Sequence, residues 1–108
     1  MQKEYIICSA IWININEIFP HQPNNITNGL VVCGHRHHNC FIIISNLNDK
    51  IKGDINDSKL NNKNIQGFLT NTNRFVNRYE AFEIAIGADQ VIINKERNIK
   101  KLFSEDIY

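Results

Sequence analysis

The chain has 108 residues, and its 12 lysine and arginine residues nearly balance 11 acidic residues, giving a formal net charge of +1. This length suits one domain with a single modest core. The balanced charge excludes a broad electrostatic footprint for duplex nucleic acid or an anionic membrane, so any anion binding must be local.

Apolar runs and cysteines indicate the compartment. No apolar run exceeds five residues, whereas a membrane helix needs roughly 20, and the start MQKEYIICSA lacks the pattern of a secretory signal. We therefore expect a cytoplasmic protein without a membrane partner. Three cysteines, an odd number, favour free thiols over a disulfide framework in such a chain.

The N-terminal third predicts three strands. EYIICSAIWI is rich in β-branched and aromatic residues, NINE follows it as a turn, and IF before a proline forms a short return strand, so we expect a hairpin. HQPNNITNG has the composition of a loop, and LVVC after it predicts the third strand.

A helix is predicted from residue 35 onward. Residues on one side of it recur at spacings of three and four, the stripe of a half-buried helix: His37, Cys40, Phe41, Ile44, Leu47 and Ile51. The β-branched run FIII within this stretch favours a strand instead, so two signals compete. Residues 45–65 are mostly polar and predict the end of the helix followed by a flexible connection.

The second half of the chain predicts a hairpin and a second helix. QGFLTNTNRFVN holds two short apolar runs around NTN, where asparagine tolerates the left-handed backbone of a tight turn. Asn77 followed by Glu80 has the spacing of a capping box, which starts a helix. QVIIN predicts a final strand. One side of the helix carries Ala81, Phe82, Ala85 and Ala88.

These elements predict an α+β fold in one domain, residues 1–108, with a small antiparallel sheet of hairpins packed with two helices. The tail LFSEDIY mixes apolar anchors with two carboxylates. Because adjacent residues point apart in a helix or strand, Glu105 and Asp106 fit an acid and base pair poorly. An anchored tail or an oligomer contact, able to cap a pocket, fits them better.

The segment GHRHHNCF and the cysteine before it concentrate potential metal ligands. Zinc normally takes four donors in a tetrahedron, and this segment supplies five: Cys33, His35, His37, His38 and Cys40. All of them fall within eight residues, whereas zinc sites draw ligand pairs from separated elements, so the spacing argues against a metal. Cys40 beside a histidine also suggests a nucleophilic pair, but its place on the apolar stripe favours a buried structural thiol.

The position of GHRH between a strand and a helix favours an anion-binding site. Backbone N–H groups, the helix dipole and Arg36 converge there. The imidazoles of His35, His37 and His38 supply hydrogen-bond donors, and the guanidinium offers a bidentate fork that lysine lacks. The apolar stripe draws His37 toward the core, which leaves the other two histidines and Arg36 at the helix start.

Two further arginines extend this hypothesis. Lysines outnumber arginines eight to four, yet Arg36, Arg74 and Arg78 all fall in the two motif-like stretches, which indicates phosphate contacts. The alternative is a solvated surface charge or a local pair such as Arg78 with Glu80. Phe75 offers a ring on which a nucleobase can stack or, alternatively, belongs to the core.

Three blocks of the sequence together resemble a family of small proteins encoded by phages and prophages: HQPNNITNGLVVCGHRHHNCF, QGFLTNTNRFVNRYEAFEIAIGADQVI and LFSEDIY. The resemblance covers most of the chain except residues 45–64. Its specificity lies in the order of RHHNC, QGF, RFVNR.EA..IA and a terminal SED followed by an aromatic residue. This order also resembles the phage anti-Thoeris sponge proteins, which counter host immunity by sequestering a cyclic ADP-ribose-type signal without destroying it.

The sponge resemblance implies an anti-defence protein of the host cytoplasm that binds a small cyclic nucleotide or ADP-ribose-type signal at the interfaces of a homo-oligomer. It implies neither an enzyme nor a cofactor. The sponge contacts do not align residue by residue, so the expected ligand residues rest on the chemistry of the matching blocks: His35, Arg36, His37, His38, Arg74, Phe75 and Arg78. Two alternatives stay open: a nucleotide phosphodiester hydrolase that uses the histidine cluster, and a zinc-stabilised protein-interaction module.

Overall fold

The fold is a four-stranded antiparallel sheet with its helices on one face. The computed structural model describes residues 3–51, 64–90 and 100–107. The strands are β1 (Ile6–Ile13), β2 (Leu30–Gly34), β3 (Asn64–Thr70) and β4 (Phe75–Asn77), and the helices are α1 (His37–Ile51), α2 (Arg78–Gly87) and the short α3 (Ser104–Ile107). The predicted α+β class, with a small antiparallel sheet and two main helices, is confirmed. Within the described ranges no helix has the length and apolar character needed to cross a membrane.

β1 lies inside the sheet, whose strand order is β2-β1-β3-β4. It pairs antiparallel with β2 on one side, where Ile13 faces Leu30, and with β3 on the other, where Ala10 faces Gly67. β3 and β4 form the predicted hairpin, and Asn73 in its turn has a left-handed φ of 62°. The prediction for NTN is confirmed.

The predicted first hairpin is wrong. After β1 the N–H of Ile15 donates to the Ile13 carbonyl oxygen (3.0 Å) and the N–H of Glu17 donates to the Ile15 carbonyl oxygen (2.9 Å). NINE therefore forms two successive narrow turns, which do not fold the next residues back along β1. Ile18 makes an isolated parallel bridge with Gly29, and the antiparallel partner of β1 is the strand predicted from LVVC.

Residues 14–29 cover the sheet face opposite the helices. Trp12 lies on that face, with its ring centroid 6.1 Å from that of Phe75, and its indole N–H donates to the Asn28 carbonyl oxygen (2.9 Å). Gly29 has a φ of 81° beside the indole, where a Cβ would meet the indole nitrogen at 2.8 Å. The segment predicted as a loop therefore packs against the sheet face opposite the helices.

Side-chain amides from this segment reach both outer strands of the sheet. Asn25 accepts from the Phe75 N–H (2.9 Å) and donates to the Phe75 carbonyl oxygen (2.6 Å), at the β4 edge. Gln22 accepts from the Val31 N–H (2.8 Å) in β2. These amides pair with backbone groups of the strand edges as a neighbouring strand would.

α1 and α2 pack on the same sheet face over two apolar clusters. The cluster under α1 contains Ile11, Ile13, Val32, Cys40 and Ile44. The cluster under α2 contains Ile6, Phe68, Val76, Ala81, Phe82, Ala85 and Leu102. Cys40 is fully buried, which confirms the expected structural thiol.

The FIII run, which carries both helix and strand signals in the sequence, lies in helix α1. Ile44 is buried and the three residues before it are exposed, so the run lies on a helix with one buried side. α1 continues to Ile51, so the first part of the connection predicted over residues 45–65 is helical, and its last two residues belong to β3. Residues 52–63 lie outside the described residues.

α2 begins as the sequence predicts. The Asn77 side chain accepts from the Glu80 N–H (2.8 Å), which forms the first half of the capping box. The Glu80 carboxylate accepts from the Arg74 Nη1 (3.2 Å). Residues 91–94 of the predicted last strand lie outside the described residues.

Gly67→Ala is expected to destabilise the fold by about 1 to 3 kcal/mol. A Cβ there would meet the Val76 carbonyl oxygen and lie 2.7 Å from the Phe75 ring. Gly87→Ala is the matched control, because a Cβ at that position of α2 has nothing within 4 Å and alanine has the higher helix propensity. Urea denaturation measures both variants, and an equal loss of stability in the two would contradict this account of Gly67.

Candidate functional site

The turn between β2 and α1 is tightly packed. A Cβ at Gly34 would lie 3.0 Å from the Asn39 Cβ and 3.3 Å from the Cys40 sulfur, so the strand end has little room for a side chain. The Arg36 carbonyl oxygen accepts from the N–H groups of Asn39 (3.0 Å) and Cys40 (3.3 Å). The Asn39 side chain accepts in return from the Arg36 N–H (3.0 Å), as in a capping box. The predicted strand-to-helix position of GHRH is confirmed.

His37, the first residue of α1, is buried in the core. Its ring centroid lies 5.0 Å from that of Phe68 in an edge-on contact, and its Nε2 lies 2.8 Å from the Gly67 carbonyl oxygen. Because a carbonyl only accepts, Nε2 carries the proton, and the bare Nδ1 is buried with no hydrogen-bond partner in the described part of the chain. Burial lowers the pKa of His37, so the ring is neutral at pH 7.

The C-terminal segment packs against the start of α1. The Leu102 N–H donates to the Arg78 carbonyl oxygen (2.9 Å), and the Leu102 side chain is fully buried. Ser104 is also buried, and its hydroxyl oxygen accepts from the His37 backbone N–H over 3.5 Å, a long contact with one of the N–H groups that a helix start leaves open. SED therefore lies against the helix, as expected of an anchored tail.

Glu105 brings a carboxylate to the same place. Its pKa is lowered by its own backbone N–H, by the Ser104 hydroxyl, which donates to it at 3.2 Å, and by the charges of Arg36 and Arg78. The charge of Arg78 also lowers the pKa of His37, and the charge of Glu105 raises it. Glu105 therefore lies within electrostatic range of three predicted ligand residues, Arg36, His37 and Arg78.

Arg78, the first residue of α2, connects this cluster to a surface pocket. Its Nη2 donates to the Gln66 side-chain oxygen (2.5 Å), and its guanidinium lies 4.9 Å from the centroid of the Phe103 ring. Its Nε is buried and has no hydrogen-bond partner among the described residues. The pocket has a volume of about 370 Å³ and is lined by Asn64, Ile65, Gln66, Asn77, Arg78, Tyr79 and Lys101.

Arg74 is engaged by carboxylates in a different place. Its Nε and Nη2 donate to the two oxygens of Glu4 at 2.9 and 2.8 Å, and its Nη1 donates to Glu80 at 3.2 Å. The Glu4 carboxylate also accepts from the hydroxyls of Thr70 (2.8 Å) and Thr72 (2.6 Å). Arg74 therefore ties the N-terminal residues to the β3–β4 hairpin rather than joining the cluster around Arg78.

The remaining predicted ligand residues are separated from one another. His35 and His38 are exposed at the turn into α1. Phe75 is buried against Gly67 on the sheet face opposite the helices. Its ring belongs to the core, which is one of the two alternatives predicted from the sequence. A nucleobase therefore cannot stack on it.

Six of the seven residues that line the pocket were not among the predicted ligand residues, including Gln66, Tyr79 and Lys101. Gln66 and Tyr79 lie in the QGF and NRYEA blocks, so their position in those blocks was an available signal. Lys101 has no local signal, since it reaches the pocket through the tail and places its Nζ 5.4 Å from the centroid of the Tyr79 ring.

The clustered metal ligands of the sequence are divided between two sheet faces. Cys40 and His37 are buried on the helix side, whereas Cys33 is exposed and faces Ala10 on the other side. Among the described residues, no three histidine, cysteine or acidic side chains lie close enough together to hold a metal ion. The zinc alternative therefore gains no support from this geometry.

Comparison with known proteins gives the family. A model of the family described as phage T4 y16D protein matches residues 5–108. The chain belongs to the y16D family. This confirms a small phage-encoded family, as the sequence blocks predicted. No curated protein and no solved structure matches the chain significantly. The likeness of this y16D family protein to the anti-Thoeris sponges therefore stays a prediction.

Glu4→Gln is expected to lower the stability of the y16D family protein at neutral pH by about 1 to 3 kcal/mol. Hydrogen bonds from Arg74 and Thr72 lower the pKa of Glu4 from 4.5 to about 2. The stability that this carboxylate contributes is fully present above the unfolded-state pKa and is lost as the pH falls toward the folded-state value. The variant should therefore lose less stability than the native protein on acidification from about pH 5 to 2.

Urea denaturation at a series of pH values measures this difference. Glu83→Gln, at an exposed carboxylate of α2, is the matched control. The role given to Glu4 is wrong if both substitutions change the acid dependence of stability to the same extent.

Proposed function

We propose that this y16D family protein binds a small nucleotide-type ligand in the pocket beside Arg78 and holds it without cleaving it. The observation that carries the proposal is Arg78, which lines the pocket and whose buried Nε has no hydrogen-bond partner among the described residues. A buried donor without an acceptor is costly, and a phosphate oxygen at that position offsets the cost.

The cations of the pocket suit a phosphate. Gln66 holds the Nη2 of Arg78 and Phe103 packs against the face of its guanidinium, so the fork is oriented before a ligand arrives. Lys101 adds a second positive charge to the lining. Two cations, one of them with a fixed geometry, favour an anionic ligand over a neutral one.

The rest of the lining suits a nucleobase. Tyr79 is 57% exposed and offers an aromatic face, the role that the sequence assigned to Phe75. Asn64, Gln66 and Asn77 add side-chain amides, which donate to and accept from the polar edges of bases. The pocket therefore combines charge, stacking surface and hydrogen-bonding groups within the size of a small ligand.

Binding without turnover is favoured over hydrolysis because none of the described residues lining the pocket is a histidine. A general acid or base must reach the reacting atoms within hydrogen-bond distance. The His37 ring is buried, neutral and bonded to the Gly67 carbonyl oxygen, so it is not offered to a substrate. The phage origin of the family accords with an anti-defence role in which the ligand is a cyclic nucleotide or ADP-ribose-type immune signal.

Sequestration requires tight binding, roughly nanomolar or about 12 kcal/mol. The pocket lies at the surface of one chain, so enclosing a ligand requires a further surface over Tyr79 and Lys101. In this proposal a second copy of the chain supplies that surface, in keeping with the expected homo-oligomer.

Isothermal titration calorimetry with cyclic ADP-ribose isomers and cyclic dinucleotides tests the binding. Lys101→Gln is expected to weaken the affinity at least tenfold, about 1.4 kcal/mol, because it removes a charge from the pocket lining. Arg78→Gln should weaken it further. Lys100→Gln is the matched control, since this neighbouring lysine lies over the Phe82 ring, 5.6 Å from its centroid, and does not line the pocket.

The absence of binding to every compound would refute the proposal, as would an equal loss of affinity in Lys100→Gln and Lys101→Gln. Chromatography of the ligand released by heat denaturation separates the two classes of function. Intact ligand supports sequestration, whereas new products would support the phosphodiester hydrolase.

A further inference from the structure

Two of the three thiols lie next to each other on the sheet face opposite the helices. Cys33 in β2 is paired directly with Ala10 in β1, and Cys8 is two residues from Ala10 along β1. Because side chains alternate along a strand, Cys8 and Cys33 point to the same face and are diagonal neighbours on adjacent strands.

The three thiols differ in access to solvent. Cys33 is exposed on an edge strand and Cys8 is partly buried beside it. Cys40 is fully buried under α1, where its sulfur lies 3.7 Å from the Ser9 carbonyl oxygen. A small reagent therefore reaches Cys33 first and meets Cys8 next to it, whereas the protein shields Cys40.

The pKa values of the thiols also favour Cys33 as the reactive one. The Cys8 thiol donates toward the Cys33 sulfur, which lowers the pKa of Cys33, and the same contact together with burial raises the pKa of Cys8. Burial raises the pKa of Cys40 to about 11. Because the thiolate is the nucleophile in thiol chemistry, Cys33 is the attacking sulfur of the three.

We propose that Cys33 and Cys8 form a redox-responsive dithiol, with Cys33 as the attacking thiol and Cys8 as the resolving thiol. The Cys33 thiolate attacks one sulfur of a low-molecular-weight disulfide, forming a mixed disulfide and releasing one small thiolate. Cys8 then loses its proton to solvent and attacks the Cys33 sulfur, closing a Cys8–Cys33 disulfide and releasing the second small thiolate. Two electrons pass from the protein to the small disulfide.

The position of the pair predicts a strained and easily reduced bond. Diagonal neighbours in a sheet have Cα atoms roughly 7 to 8 Å apart, somewhat more than a relaxed disulfide spans. β2 is an edge strand that ends at Gly34, and the register of β1 shifts between Ile6 and Cys8, so the strands have room to adjust. Strained, accessible disulfides are the labile ones that respond to redox changes.

Intact-mass measurement after incubation of the folded protein with oxidised glutathione tests the proposal. The native chain is expected to lose two hydrogens without retaining glutathione, because Cys8 resolves the mixed disulfide. Cys8→Ser should stop at a single glutathione adduct, and Cys33→Ser should react at least tenfold more slowly at roughly neutral pH. Cys40→Ala is the matched control and should behave like the native chain.

Circular dichroism of each variant establishes that it is folded, and peptide mapping of the oxidised native chain locates the bond. The proposal is overturned if the native chain stops at the adduct as Cys8→Ser does, or if Cys40 in the folded protein reacts as fast as Cys33. Because neither thiol lines the pocket beside Arg78, the result is independent of ligand binding there.

Discussion

Gly67 ties the two layers of the fold together. Its carbonyl oxygen accepts from the His37 ring at 2.8 Å, and its missing side chain lets the Phe75 ring lie against β3 from the other face. His37 begins α1 and Phe75 begins β4, so one residue without a Cβ positions both elements. The candidate site depends on this, since Arg36 immediately precedes α1 and Arg78 immediately follows β4.

The C-terminal segment and the start of α1 act as one electrostatic unit. The charges of Arg36 and Arg78 stabilise the Glu105 carboxylate at the positive end of a helix, and the carboxylate in turn stabilises the charge of Arg78. In the proposed function, a phosphate beside Arg78 is a second anion close to Glu105. The two anions then share one guanidinium, so the affinity for the ligand depends on how firmly the tail holds its position.

The sequence predicted those parts of the fold that neighbouring residues decide. Asn77 caps α2 through a residue three positions away, and Asn73 adopts the left-handed turn conformation by itself. The apolar stripe, a local pattern, predicted that His37 turns toward the core, although His37 was also counted among the expected ligand residues. The ion pair of Arg74 with Glu4 could not be predicted in this way, because the two residues are 70 positions apart and no local pattern indicates their contact. The first hairpin failed because backbone bonds within NINE replaced the turn that its composition suggested.

Side-chain amides also determine how far the sheet can extend. Asn25 occupies the N–H and carbonyl groups of Phe75 in β4, and Gln22 occupies the N–H of Val31 in β2. A side-chain amide satisfies the backbone groups at the edge of a strand without adding a further strand. Those groups are then not free to pair with a strand of another chain. Phe41, Ile42 and Ile43 on α1 are exposed and apolar, and no other residue of the described ranges covers them. In the described part of the chain, the amides thus leave fewer free backbone groups at the sheet edges for another chain to pair with.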